Sequence, residues 1–277
     1  MKGSQTIVIK CGGSIVNELT SSFFQSVKAL VEEGNSVVVV HGGGPDIEQM
    51  LKKLKIESEF VDGLRKTSED VLDVVTMVLS GKVNKNLVTM LQQHELKPVG
   101  LSGCDGMLLE TEAINTEKLG YVGEVVHVNS HLLTELTASN YVPVLSSIGV
   151  NKKGQRFNVN ADLAAGAVAQ ALQAEKLLFV TDVQGVLVDG DLMEELTKAD
   201  IDELIEDGVI YGGMIPKVQA ASEALSNTLN EVHIISGKHS FVNENGHMVG
   251  TAIKHEKGGN KNDECFISNV STIGSSY

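Results

Sequence analysis

The chain has 277 residues, of which 42% are hydrophobic and 21% charged, the balance of a globular protein long enough to bury a sizeable core. Acidic residues outnumber basic ones 36 to 22, a formal charge of −14, which argues against nucleic acid or an anionic membrane as the main partner and makes any pocket for an anion a local feature. The three cysteines, Cys11, Cys104 and Cys265, form no CxxC; with no signal peptide and no apolar run of transmembrane length, reduced thiols and a cytoplasmic setting are expected.

Ile7 to Ile9 reads as a buried strand that runs into Lys10-Cys11-Gly12-Gly13. A helix is predicted from about Ser22 to Glu33, stopped by Gly34. Val37 to Val40 is wholly apolar, as a parallel strand covered on both faces should be. It runs into His41-Gly42-Gly43-Gly44-Pro45 and a helix to about Leu54. Strand, glycine turn and helix thus occur twice in the first 54 residues, which indicates a right-handed βαβ unit.

Glu59 to Val61 is a candidate short strand, and Gly63-Leu64-Arg65 a loop. Thr67 with Asp70 has the spacing of a capping box for a helix to about Leu79. A second helix is expected from Val83 to His94, then a strand at Val99–Leu101. Leu108–Glu110 and Gly123–Val128 read as paired flap strands, and Asn129 as the cap of a helix to about Thr137. Val142–Leu145 is a buried strand ending at Ser146-Ser147-Ile148-Gly149. Asn158-Val159-Asn160-Ala161-Asp162 leads into an alanine-rich helix from about Leu163 to Leu172, with Asp162 as a candidate N-cap. Leu177–Val180 is a strand ending in Thr181-Asp182, with Gly185 beyond. Asp200–Glu206 is a short acidic helix, Val232–Ile235 a strand, and Gly250–Ile253 closes the pattern.

These elements predict an α/β protein with an open, mainly parallel sheet in an α/β/α sandwich, two lobes in one chain. The larger lobe spans 1–173 and the smaller 174–253, with the seam near Gln173. The composition of 254–277 reads as a disordered tail.

Three features carry chemistry. Three consecutive glycines after a buried strand let backbone N–H groups approach an anion. Lys10 directly follows an apolar run at a strand's carboxyl end, where open sheets place ligands. Lys217 follows Gly212-Gly213-Met214-Ile215-Pro216 in a helical first turn, where the dipole disfavours a cation unless an anion meets it. Arg65, in a glycine-containing loop, suits bidentate carboxylate recognition. The usual nucleotide loops are missing: there is no GxxxxGK[ST], no GxGxxG and no protein-kinase signature. His41-Gly42-Gly43-Gly44 could also form the oxyanion hole of a hydrolase, but no GxSxG accompanies it. No HExxH or Cys/His cluster points to a metal site.

Taken in order, these motifs resemble the amino acid kinase family from Ile7 to about Ile253. The residues that carry the resemblance are Lys10-Cys11-Gly12-Gly13, His41 to Pro45, Asp62 to Arg65, Ser146 to Gly149, Asn158 to Asp162, Thr181-Asp182-Val183 with Gly185, and Gly213 to Val218. The resemblance implies ATP-dependent phosphorylation of the side-chain carboxylate of N-acetyl-L-glutamate, with Mg2+ carried mainly by the nucleotide phosphates and no metal site of the protein's own. It implies that Gly43, Gly44, Arg65 and Asn158 contact the amino acid. Lys10 and Lys217 would stabilise the transferring phosphoryl group, and Asp162 would organise both. Gly12, Gly13, Thr181, Asp182, Gly185, Val209, Ile210, Tyr211 and Gly212 would meet the nucleotide. Related readings are a kinase of the same fold acting on N-acetyl-aminoadipate or another acidic amino acid, and a non-catalytic regulatory homologue.

Regulated members of the family carry an added N-terminal helix that links dimers into a ring. Met1 to Thr6 are too few for a helix of the roughly 12–15 residues that hold together alone, so a homodimer without arginine inhibition is expected. Its interface is expected on the helix Ser68–Leu79, whose Val71, Leu72, Val74, Val75 and Val78 exceed one core stripe.

Overall fold

The computed structural model describes residues 4–226, 229–243 and 245–256. In chain order, β1 (Thr6–Cys11) leads through a short 3-10 turn to α1 (Ser21–Glu32), β2 (Ser36–His41) and α2 (Gly44–Leu54). A small hairpin, β3 (Phe60–Val61) and β4 (Leu64–Arg65), precedes α3 (Glu69–Thr76), a π-helical stretch (Met77–Val83), α4 (Asn84–Gln93) and β5 (Pro98–Ser102). Next come β6 (Leu109–Ala113), the one-turn α5 (Thr116–Leu119), β7 (Val122–Val128), α6 (Ser130–Ala138) and β8 (Val142–Ser146). The hairpin of β9 (Ile148–Val150) and β10 (Arg156–Val159) leads into α7 (Ala161–Ala171) and β11 (Lys176–Thr181). The C-terminal part holds β12 (Leu187–Val188), β13 (Asp191–Leu192), β14 (Glu195–Thr197), α8 (Lys198–Glu206), α9 (Met214–Ala224), β15 (Glu231–Ser236) and β16 (Thr251–Lys254).

Eight of these strands form one sheet in the order β14-β16-β15-β11-β1-β2-β8-β5. Its centre is parallel, and β16 turns back antiparallel to β15. Apolar side chains alternate through it. Ile7 and Ile9 join Val37 and Val39 in a core under α1 to α4, while Val8 joins Val38 and Val40 in a second core under α7 and α9. Each fully buried Val, Leu or Ile contributes on the order of 1.5–3 kcal/mol, so both faces hold the sheet firmly. From β1 the chain first builds outward through β2, β5 and β8, then crosses back to β11 on the other side. The gap between the carboxyl ends of β1 and β11 is therefore the topological switch point, where open α/β sheets bind ligands.

Several expectations change in detail. Ser68, not Thr67, caps α3, accepting from the Val71 N–H at 3.4 Å; Thr67 is buried and donates its hydroxyl to the Arg65 carbonyl. The two helices expected around residue 80 are one, because the π-helical stretch carries the backbone through without a break. Asn160, not Asp162, caps α7: its Oδ1 accepts from the N–H groups of Asp162 and Leu163. The flap is a closed four-strand ring, β10-β7-β6-β9, of which β9 and β10 were not foreseen. Lys254, expected to open the tail, belongs to β16, and 257–277 lie outside the described residues. The surplus of valines on the α3 helix is absorbed by the monomer: Val71, Leu72, Val74, Val75, Val78 and Leu79 are all buried, and Met77, 60% exposed, is the apolar residue it turns outward.

Candidate active site

Two glycine turns form the floor of the site. Gly12-Gly13 follow β1 and Gly42-Gly43 follow β2, and the backbones press together. A Cβ on Gly13 would sit 2.5 Å from the Gly44 nitrogen and 2.8 Å from the Gly43 nitrogen. A Cβ on Gly43 would sit 2.7 Å from Leu79 Cδ2, which the π-helical stretch supplies. Neither the Gly43 nor the Gly44 N–H has a hydrogen-bond partner among the described residues. Together with the N-terminus of α2, which starts at Gly44 with Pro45 in its first turn, they make a cradle for an anion. Asp46 braces it, accepting from Asn17 at 3.0 Å and pairing with Lys82 at 2.6 Å.

Lys10 enters this floor from the end of β1. Its Nζ lies 2.7 Å from Asp162 Oδ1 and over the Phe179 ring at 5.7 Å from the centroid. Only 14% of the Lys10 side chain is exposed, so the ammonium is directed rather than free in solvent. The expected link from Asp162 to both lysines is not formed. Lys217 pairs instead with Asp182, Nζ to Oδ1 at 2.6 Å, and that hydrogen bond holds the Asp182 carboxyl below the usual range. Asp182 follows β11, which pairs with β1, so it reaches the same sheet edge as Lys10, and Lys217 in the first turn of α9 meets it there.

A cavity of about 270 Å3 opens above the floor, lined by Lys10, Gly13, Gly43, Gly44, Arg65, Asn158 and Asp162 among others. All four residues expected to meet the amino acid therefore share one pocket with Lys10 and Asp162. Arg65 is buried, with NH1 donating to Glu48 Oε2 at 2.8 Å and to the Ser58 hydroxyl, and Phe60 lies against its guanidinium at 4.5 Å. Asn158 donates from Nδ2 to Thr67 Oγ1 at 3.1 Å. Phe60, Leu79, Val122, Ser147 and Asn160 also line the pocket and were not anticipated. Asn160 had a legible signal, because asparagine two residues earlier is as good a cap as aspartate. A second cavity of about 520 Å3, lined by Glu57, Lys66, Thr116 and Glu117 among others, contains none of the predicted site residues.

The residues expected at the nucleotide are not in that pocket, apart from Gly13. Thr181 ends β11 with its hydroxyl on the Val183 and Ile235 carbonyl oxygens, so its side chain shapes the turn. Gly185 has no room for a side chain, since a Cβ would meet Thr251 Oγ1 at 2.5 Å. Val209, Ile210, Tyr211 and Gly212 join α8 to α9. Ile210 points into the core, whereas Tyr211 is 76% exposed, and Gly212 takes the left-handed φ of 58° that a side chain resists. Among the described residues no group of three or more His, Cys, Asp or Glu is placed to hold a metal, and no helix is long and apolar enough to cross a membrane.

Two paired lysines and a glycine cradle at the switch point of an open sheet define a phosphotransferase-type α/β protein, built to gather anionic groups rather than to attack them. The amino acid kinase family model matches residues 5–236. The chain belongs to that family. It is 59% identical over 254 residues to acetylglutamate kinase of Geobacillus stearothermophilus, spanning 92% of this chain and 98% of that one. Among solved structures, the smu.665 protein of Streptococcus mutans UA159 superposes with a TM-score of 0.78 at 33% identity, over 91% of this chain and 99% of that one. N-acetylglutamate synthase of Neisseria gonorrhoeae, complexed with coenzyme A and N-acetyl-glutamate, shares the fold at 23% identity and a TM-score of 0.75, over 91% of this chain and 60% of that one.

Proposed function

We propose that this chain transfers the γ-phosphoryl group of ATP to the side-chain carboxylate of N-acetyl-L-glutamate. The product is N-acetyl-L-glutamyl 5-phosphate, and the step belongs to arginine biosynthesis. The observation that carries the reading is the single pocket that joins the Lys10–Asp162 pair and the Gly13, Gly43 and Gly44 cradle to Arg65 and Asn158, in a chain so similar to acetylglutamate kinases.

Phosphoryl transfer to a carboxylate needs no general base, because the acceptor is already ionised at neutral pH. The difficulty is electrostatic: acceptor and ATP are both anionic and must come within about 3–3.5 Å. Arg65 and Asn158 orient the amino acid, the guanidinium as a planar fork for a carboxylate. Lys10 and the Gly43 and Gly44 N–H groups face the group in transfer from the side of the acceptor. Lys217 faces it from the side of the nucleotide. Asp162 and Asp182 aim the two lysines one each. Gly12, Gly13, Thr181, Asp182, Gly185 and Val209 to Gly212 frame the nucleotide. Mg2+ bound to the ATP phosphates supplies further charge neutralisation. Residues 1–173 carry the amino-acid side and 174–253 the nucleotide side, in a cytoplasmic homodimer.

A coupled ADP-release assay comparing N-acetyl-L-glutamate, L-glutamate, L-aspartate and N-acetyl-aminoadipate tests the reading. Preference for N-acetyl-L-glutamate is expected. One methylene is worth only about 1–3 kcal/mol, so equal or better turnover of N-acetyl-aminoadipate would move the assignment to the longer substrate.

A further inference from the structure

His41 ends β2 at the middle of the sheet, fully buried between Cys11 on β1 and Ser146 on β8. A buried imidazole needs a partner for each nitrogen, and both are present. Nδ1 lies 3.0 Å from the Gly42 carbonyl oxygen, and Nε2 lies 3.1 Å from Asn84 Nδ2.

The asparagine leaves no choice of tautomer. Its Nδ2 also faces the Val144 and Leu101 carbonyl oxygens, at 2.8 and 3.2 Å, so that atom is the NH2 group, its two protons shared among three acceptors. Its Oδ1 accepts from Lys85 Nζ at 3.0 Å. An NH2 aimed at Nε2 requires that nitrogen to be bare, and the single proton of the neutral ring is then on Nδ1, donated to Gly42. Burial, with Lys85 adding to it, pushes the imidazole down to about 4, so the ring is neutral at any physiological pH. It is a donor toward the glycine turn and has no lone pair to offer there.

A trans peptide carries its C=O and N–H on opposite sides. Because the Gly42 oxygen is turned to the ring, the Gly43 N–H is turned away from it. Gly42 and Gly43 lack the side chains that would otherwise restrict this plane. We propose that His41 is a positioning residue: its Nδ1–H holds the Gly42 carbonyl and so aims the Gly43 N–H at the phosphoryl group in transfer. The inference rests on the glycine cradle being the acceptor site proposed above. Asn84 is the second link. It is the first residue after the π-helical stretch, and that shift in helical register brings its amide beneath the sheet. A helix irregularity thus fixes a side chain, the side chain a tautomer, and the tautomer a backbone donor.

Two experiments on the full chain test this. The first is NMR of the imidazole nitrogens in histidine-labelled protein without substrate. His41 is expected as the Nδ1–H tautomer, unchanged between about pH 6 and 8; an Nε2–H signature, or titration in that range, would overturn the proposal. The second is kinetics of His41→Phe, which keeps the ring and removes both polar contacts while Asn84 retains Val144 and Leu101. Loss of one preorganised donor predicts that kcat falls about tenfold to a hundredfold, with KM for both substrates within about threefold. A kcat within about twofold of the parent chain would sink the idea. Should that variant not fold, Asn84→Asp, which changes one group, sets an oxygen against Nε2. It is expected to reverse the tautomer and lower kcat, and a reversed tautomer with unchanged kcat would be equally fatal. If the parent chain does not turn over N-acetyl-L-glutamate, the functional reading fails while the tautomer, measured without substrate, is decided separately.

Discussion

At the scale of single residues, the site is two ion pairs and two glycine turns. Lys10→Ala and Lys217→Ala should each lower kcat on the order of a hundredfold to a thousandfold while KM changes much less, because each ammonium acts on charge that grows in the transition state. Steady-state kinetics checks this, and a near-normal kcat removes that lysine from the mechanism. Arg65→Lys should chiefly raise KM for the amino acid, since a point charge replaces a fork already seated against Glu48 and Phe60. A rise confined to the KM of ATP would reassign it. Gly13→Ala should abolish most activity with the fold retained, because a methyl group 2.5 Å from the Gly44 nitrogen closes the cradle; circular dichroism and the coupled assay together separate the two effects. Lys10 and Gly42 to Gly44 stood out in the sequence because each breaks a local rule, a charge after an apolar run or more glycine than a turn needs; Lys217 stood out as a cation in a helical first turn, and Arg65 only as an arginine in a glycine-containing loop. The Lys217–Asp182 pairing was not legible, since it joins the turn after β11 to the first turn of α9, 35 residues on in sequence, and no local pattern states that the two meet.

At the scale of elements, the parallel strands were easy to read and the short ones were not. Val37 to Val40 and Leu177 to Val180 are continuous apolar runs that only a sheet covered on both faces can use. By contrast β9, β10, β12, β13 and β14 have two to four residues each, too few for a period to show. The π-helical stretch was also hidden: one helix was expected to end at about Leu79 and another to begin at Val83, where the backbone in fact runs on without a break. One element carries a pH signature. Glu231 at the start of β15 lies 3.3 Å from His233 Nε2 and near Lys176 and Lys254, and its carboxyl is pushed down to about 2, chiefly by His233. The folded value lies below the unfolded one of about 4.5. This contribution is therefore present above pH 4.5 and is lost as pH falls toward 2. After discounting for solvent screening it is worth on the order of 1–2 kcal/mol. Glu231→Gln should lower stability at neutral pH and flatten the acid limb of a denaturation series; an unchanged limb would show that the pair contributes nothing.

At the scale of the whole molecule, the α/β class was readable from alternating strand and helix patterns, whereas strand order was not, because no local signal states which strands are neighbours. That order matters most between β1 and β11, where the parts assigned to the two substrates meet in a ladder of five paired residues from Ile7 opposite Lys176 to Cys11 opposite Val180. Lys10 and Asp182, the partner of Lys217, are thus fastened to adjacent planks of one stiff deck. Separating the two parts by unzipping that seam would strip apolar strands from both cores. We therefore expect substrate binding to move chiefly the margins: the β3–β4 hairpin that carries Arg65, the ring of flap strands, and the turn at Gly212. Amide exchange should therefore be equally slow at Val8 and Leu178 with and without nucleotide, while the hairpin and the Val209–Gly212 turn slow markedly on binding.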